Sequence, residues 1–113
     1  MPFEATQFQG KEELRPIYDK LIAELKSFGS DVELAPKKAY VSIRRKKQFA
    51  IFQPSTKSRF DVGINMKGEP VTDRLEASGS FNAMVSHRVR IATVEEVDTQ
   101  VISWLKQAYD QAG

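Results

Sequence analysis

Ala39-Tyr-Val-Ser-Ile-Arg-Arg-Lys-Lys-Gln-Phe-Ala-Ile-Phe-Gln-Pro54 places two runs of apolar and polar alternation around four consecutive cations, Arg44, Arg45, Lys46 and Lys47. A period of two marks a strand with one face toward a core, and two such runs on either side of a short charged tip read as a β-hairpin. In the first arm Val41 and Ile43 oppose Tyr40, Ser42 and Arg44; in the second, Phe49 and Ile51 oppose Ala50 and Phe52. Apolar side chains therefore fall on both faces. The sheet is expected to be covered on one side and partly covered on the other.

Downstream, Arg59–Met66 alternates without a break. Phe60, Val62, Ile64 and Met66 stand against Arg59, Asp61, Gly63 and Asn65, which predicts a half-buried antiparallel strand. Lys67-Gly-Glu-Pro70 turns the chain. His87–Ala92 predicts a last strand, with Val89 and Ile91 on one face and Arg88 and Arg90 on the other. Between them Val71–Ser86 has no period, only Leu75, Phe81, Met84 and Val85 scattered among small polar residues, and reads as a long functional loop or as irregular packing. Upstream, Asp31–Leu34 running into Pro36 predicts a short edge strand.

A helix is predicted at each end. Leu14, Ile17, Tyr18, Leu21, Ile22, Leu25 and Phe28 recur at three and four residues, one face of a helix. Pro16 is tolerated only in the first turn, so that helix starts between about Gly10 and Arg15, and Gly29 reads as its left-handed cap. Thr93-Val-Glu-Glu96 has the form of a capping box, followed by an apolar stripe of Val94, Val97, Val101, Trp104, Leu105 and Ala108 with Tyr109 beside it. Residues 1–10 carry no period and read as a flexible arm, which leaves 11–113 as one domain. The fold class is α+β: an antiparallel sheet of four or five strands, with an N-terminal and a C-terminal helix packed on one face, in the order α-β-β-β-β-(β)-α.

A chain of 113 residues with 41% hydrophobic and 28% charged residues can bury one core, and its composition is far from that of a disordered chain. The absence of cysteine removes disulfides, zinc–thiolate sites and thiol nucleophiles. No apolar run approaches the roughly 18 residues of a membrane span, and the first ten residues lack the order of a signal peptide, so a cytoplasmic protein is expected. The formal charge of +2 hides a segregation. Residues 1–36 carry −3, residues 91–113 carry −3, and residues 37–90, with twelve Lys and Arg against four Asp and Glu, carry +8. A strongly basic middle between acidic ends points toward an anionic partner.

Catalytic patterns are weak. His87, the single histidine, sits beside two arginines that disfavour its protonation and lacks a neighbouring acid to orient it. Ser78-Gly-Ser-Phe-Asn82 lacks the glycine pattern of a serine nucleophile. No strand aspartate is followed by the acid-x-lysine of metal-dependent nucleases, and Gly63–Gly68 is followed by Glu69 where a phosphate loop requires lysine. No metal and no cofactor is expected, and the chain reads as non-enzymatic. What remains is the set of cations on strands and turns: Arg44, Arg45, Lys46 and Lys47, with Arg59, Arg88 and Arg90 if those side chains share a face. Such a surface can neutralise phosphates, while aromatics such as Tyr40 and Phe52 would suit single-stranded nucleic acid. Cations can equally serve to block edge-to-edge pairing of strands, and a sheet can be basic simply because its helices are acidic.

Lys38-Ala-Tyr-Val-Ser-Ile-Arg-Arg, Lys47-Gln-Phe-Ala, Ser86-His-Arg-Val-Arg-Ile, Glu96-Val-Asp and Trp104-Leu-Lys-Gln-Ala-Tyr, taken as a set, give a chain that resembles domain-of-unknown-function family 5655, a small prokaryotic family, over about residues 11 to 112. The resemblance implies a compact domain and carries no substrate or catalytic residues with it. The leading expectation is a binding or interaction domain that contacts nucleic acid or another polyanion. The alternatives are a small-molecule site under residues 71–86, with Tyr40, Phe81 and His87 around a pocket, and a regulatory domain that forms a homodimer.

Overall fold

The computed structural model describes residues 10–37, 40–66, 68–78 and 85–112. Of the arm expected over residues 1–10, residues 1–9 lie outside these, as does Phe81. In chain order the elements are Arg15–Phe28 (α1), Glu33–Pro36 (β1), Val41–Arg44 (β2), Gln48–Pro54 (β3), Phe60–Ile64 (β4), Glu76–Ala77 (β5), His87–Ile91 (β6) and Thr99–Ala112 (α2). The strands form one sheet in the order β1-β2-β3-β4-β6-β5, antiparallel throughout. The sheet thus has six strands rather than four or five. The extra one is β5, two residues that pair Glu76 with Arg88 and Ala77 with His87. A strand of two residues contains no alternation to read.

The register explains the core. Val41, Phe52, Val62 and Val89 stand in one cross-strand row, and Ile43, Ala50 and Ile64 in the next, all without accessible surface. Onto these rows α1 brings Tyr18, whose ring lies 6.4 Å from both Phe52 and Phe60, and α2 brings Tyr109, 5.8 Å from Phe49. Both helices therefore pack on the same face. Strict alternation would place Phe49 with Ile51 on the opposite face. Instead the pairing slips between Ile43 and Arg44, so that Ile43 faces Ala50 and Arg44 faces Gln48, and Phe49 is the extra residue of a β-bulge. The bulge turns its ring to the helices, where it joins the core.

The other face is also covered, more than a half-buried sheet implies. Ser42, Ile51 and Gly63 stand in one row away from the helices, with Asp61 two residues along, and all four are buried.

Both helix ends differ from expectation for local reasons. Gly29 follows α1 with a φ of 170°, which is extended and open to any residue. Its lack of a side chain matters for space instead: a Cβ there would clash with the Tyr109 hydroxyl and lie 2.9 Å from Asp31 Oδ1. At the other end, Glu96 Oε1 accepts from the amides of Ala92 and Thr93 at 2.8 and 3.0 Å, but it caps a single 3-10 turn, Val94–Glu96. Val97 then leaves helical geometry, and α2 begins at Thr99 with Asp98 as its cap, its Oδ1 accepting from the Val101 amide at 3.2 Å. No described helix is long and apolar enough to cross a membrane.

Gly29→Ala is expected to cost about 1–3 kcal/mol in urea or thermal denaturation, the range for forcing a methyl group into filled space. The same change made in a Tyr109→Phe background should cost less, because the hydroxyl it meets is gone. Acid should also act here. Donation from the Tyr109 hydroxyl, reinforced by Arg45, holds the Asp31 carboxyl below its ordinary range, and the Val101 amide does the same for Asp98. Carboxyls depressed by folding add stability above their unfolded pKa and lose it as pH falls through the folded value. The stability difference between wild type and Asp31→Asn should accordingly be full near neutrality and shrink below about pH 4.

Candidate functional site

The four adjacent cations span the end of β2, at Arg44, and the three-residue connection Arg45–Lys47, and the structure separates them. Arg45 turns inward. Its Nε donates to Asp31 Oδ2 at 2.8 Å, its Nη1 to the Tyr109 carbonyl at 3.1 Å, and its guanidinium stacks 4.1 Å from the centre of the Tyr109 ring. The Tyr109 hydroxyl in turn donates to Asp31 Oδ1 at 2.6 Å. This side chain fastens the hairpin to α2 and to the connection after α1. Arg44, Lys46 and Lys47 remain exposed, and among the described residues none of the three makes an ion pair.

Arg59, Arg88 and Arg90 occupy the face away from the helices. The register aligns Arg90 with Asp61 and Arg88 with Gly63, and Arg59 precedes Asp61 by two residues. Each arginine meets an acid. Arg59 Nε lies 3.4 Å from Asp61 Oδ2, while Arg88 and Arg90 share Glu76 Oε1 at 3.5 and 3.0 Å. Asp61 is buried, and its Oδ2 also accepts from the Ser55 hydroxyl, which pins the turn between β3 and β4. Arg59 Nε and Asp61 Oδ1 are buried without a hydrogen-bond partner. This cluster runs from buried Asp61 out to exposed Arg90, and each of its cations meets an acid of the same cluster.

The expected pocket is not assembled from Tyr40 and His87. His87 is buried, with Nδ1 2.7 Å from the Ser86 hydroxyl and Nε2 2.9 Å from the Glu69 carbonyl, so both ring nitrogens have protein partners, the second of them in the turn after β4. Tyr40 precedes β2, three strands across the sheet from β6. The first part of the expected loop is anchored rather than poised to open. Arg74 donates to Asp98 Oδ2, Gln100 Oε1 and the Glu96 carbonyl at 2.9–3.0 Å, and Leu75 is buried in the core. Among the described residues no three acidic or histidine side chains come together where a metal ion could sit.

A recess of about 200 Å³ opens instead beside the exposed cations, lined by Lys47, Gln48, Phe49, Asn65, Ala108, Gln111 and Ala112. Phe49, Ala108 and Ala112 are almost wholly buried and form an apolar floor. Asn65, Gln111 and Ala112 carry no signal of a site in the sequence, since the hairpin, the end of β4 and the last turn of α2 meet only in the fold.

The model of one protein family, described as a domain of unknown function (DUF5655), matches residues 4–112, nearly the whole chain. Searches of the curated proteins and of the solved structures return no match.

The division of labour among the hairpin cations is checked by an alanine series in chemical denaturation. Arg44→Ala, Lys46→Ala and Lys47→Ala should stay within about 0.5 kcal/mol of wild type, as exposed positions do. Arg45→Ala should stand apart as clearly destabilising, because it removes an ion pair, a carbonyl contact and a stacked cation together.

Proposed function

We propose that this chain, which belongs to the family of the domain of unknown function DUF5655, is a non-enzymatic binding domain that engages a polyanion, nucleic acid foremost, through Arg44, Lys46 and Lys47. The observation that supports this reading is that these three cations stand exposed and, among the described residues, make no ion pair, whereas Arg45, Arg59, Arg88 and Arg90 each meet a carboxylate. Two other uses of surface charge fit them less well. A cation placed to offset the acidic helices would lie against an acid, as Arg45 does. A cation placed to guard a sheet edge would lie on β1 or β5, the two edge strands, whereas the tip joins two interior strands. Exposed lysines and an arginine at the turn instead suit release of counterions from a phosphate backbone.

Fluorescence anisotropy with labelled single- and double-stranded oligonucleotides, at low and at moderate salt, tests the proposal. Binding is expected at low salt and should weaken as salt rises, with a log–log slope of about −0.7 to −0.9 for each phosphate neutralised. Reversing Arg44, Lys46 and Lys47 to glutamate should remove most of that slope and of the affinity, while glutamine at Arg88 and Arg90 should change them little. No binding at low salt, or binding indifferent to the triple reversal, overturns the proposal.

A further inference from the structure

Beside the three free cations the fold builds a recess that a phosphate backbone alone would not use. Its floor is apolar: Phe49, turned to this side by the bulge, with Ala108 and Ala112 from the last turns of α2. Three of the other lining residues, Gln48, Asn65 and Gln111, carry primary amides, and the seventh is Lys47, itself one of the free cations. Gln48 keeps its amide N–H₂ to offer, because only its carbonyl is engaged, accepting from the Ser42 hydroxyl at 2.5 Å. Asn65 and Gln111 are exposed.

An apolar floor with amide groups around it suits a flat ring that has π faces and a hydrogen-bonding edge. A side-chain amide carries both a donor and an acceptor, so it can match either pattern on such an edge. The volume, about 200 Å³, falls below the roughly 300–1,000 Å³ of sites that hold whole small molecules. It admits one ring system, and Lys47 is placed to meet a phosphate attached to it. Bases in a duplex are stacked and paired, whereas those of a single strand can be splayed out and received one at a time.

We infer that the recess bounded by Lys47, Phe49, Asn65, Gln111 and Ala112 receives one nucleobase of a single-stranded nucleic acid whose phosphates lie on Arg44, Lys46 and Lys47. This rests on the polyanion reading above and adds a selection to it: single strands over duplexes, and strands with bases over polyanions without them. The cations supply attraction at a distance, and the recess supplies the part of the affinity that salt does not screen.

The experiment compares a labelled single-stranded oligonucleotide with an abasic strand of equal length and with the matching duplex, by anisotropy at fixed salt. The strand with bases should bind about tenfold more tightly than the abasic strand, within the range that stacking of one base supplies, and the duplex should behave like the abasic strand. Ala112→Leu, which fills the recess, and Gln111→Ala, which removes an exposed amide, should bring the ratio toward one while leaving abasic affinity and salt slope unchanged. Thermal melts of both variants establish that the fold is kept. Equal affinity for the strand with bases and the abasic strand overturns the inference but leaves the polyanion reading standing, as does a ratio that survives Ala112→Leu with the fold intact. Absence of binding to every strand at low salt overturns both.

Discussion

The hold of Arg45 on Asp31 and Tyr109 is the constraint on which the arrangement of the hairpin depends. Hairpin tips are ordinarily the least restrained part of a sheet, and four adjacent like charges would add repulsion to that freedom. Here one of the four is withdrawn and stacked on an aromatic ring of α2, with a carboxylate from the connection after α1 bound to both. The tip is thereby tied to two elements distant in the chain. The β-bulge belongs to the same construction, since it sits at Arg44, next to Arg45, and delivers Phe49 to the same tyrosine. Gly29 completes it by leaving room for the Tyr109 hydroxyl. A glycine, a bulge and an arginine, none meaningful alone, converge on one ring.

Much of the architecture could be read from periodicity, because periodicity records burial on one face. The α1 stripe, the β4 alternation and the final strand all appear where the side-chain spacing puts them. The reading failed wherever structure is set by something other than a repeating face. The strand β5 is too short to have a period. The hairpin's apolar residues on both faces foretell part of the cover over Ser42 and Ile51, but the burial of Asp61 cannot be inferred from a strand that alternates as though that side were wet. The capping pattern at Thr93 is real, but a second acceptor at Asp98 starts the long helix, and two competing caps five residues apart look alike in sequence. Gly29 was expected to adopt a left-handed turn and instead serves a neighbour 80 residues away.

The candidate surface was legible in composition and illegible in detail. A basic middle segment of +8 announced excess cations, and no local pattern could say which were already answered. Pairing across the ladder decides it for Arg88 and Arg90, which share Glu76, a residue in the stretch that read as loop. Arg59 is answered by its own strand neighbour. The recess beside the tip was further out of reach, since its walls come from three elements whose proximity is a product of the antiparallel sheet and the docking of α2.

A binding surface and a stable fold place opposite demands on a charged turn. Stability favours pairing every cation, and binding favours leaving some without a partner. The sequence Arg-Arg-Lys-Lys is compatible with the proposed division, because an arginine, with its planar fork and delocalised charge, can stack and bond several groups at once, while a lysine remains a point charge on a flexible stem. The inward position is held by arginine, which is the residue able to serve Asp31, the Tyr109 carbonyl and the Tyr109 ring together, and the two lysines follow it outward. The order of residues in the tip therefore has a physical sense: the guanidinium that stacks on Tyr109 anchors the backbone of the turn, and the side chains of Arg44, Lys46 and Lys47 stay exposed around that anchor.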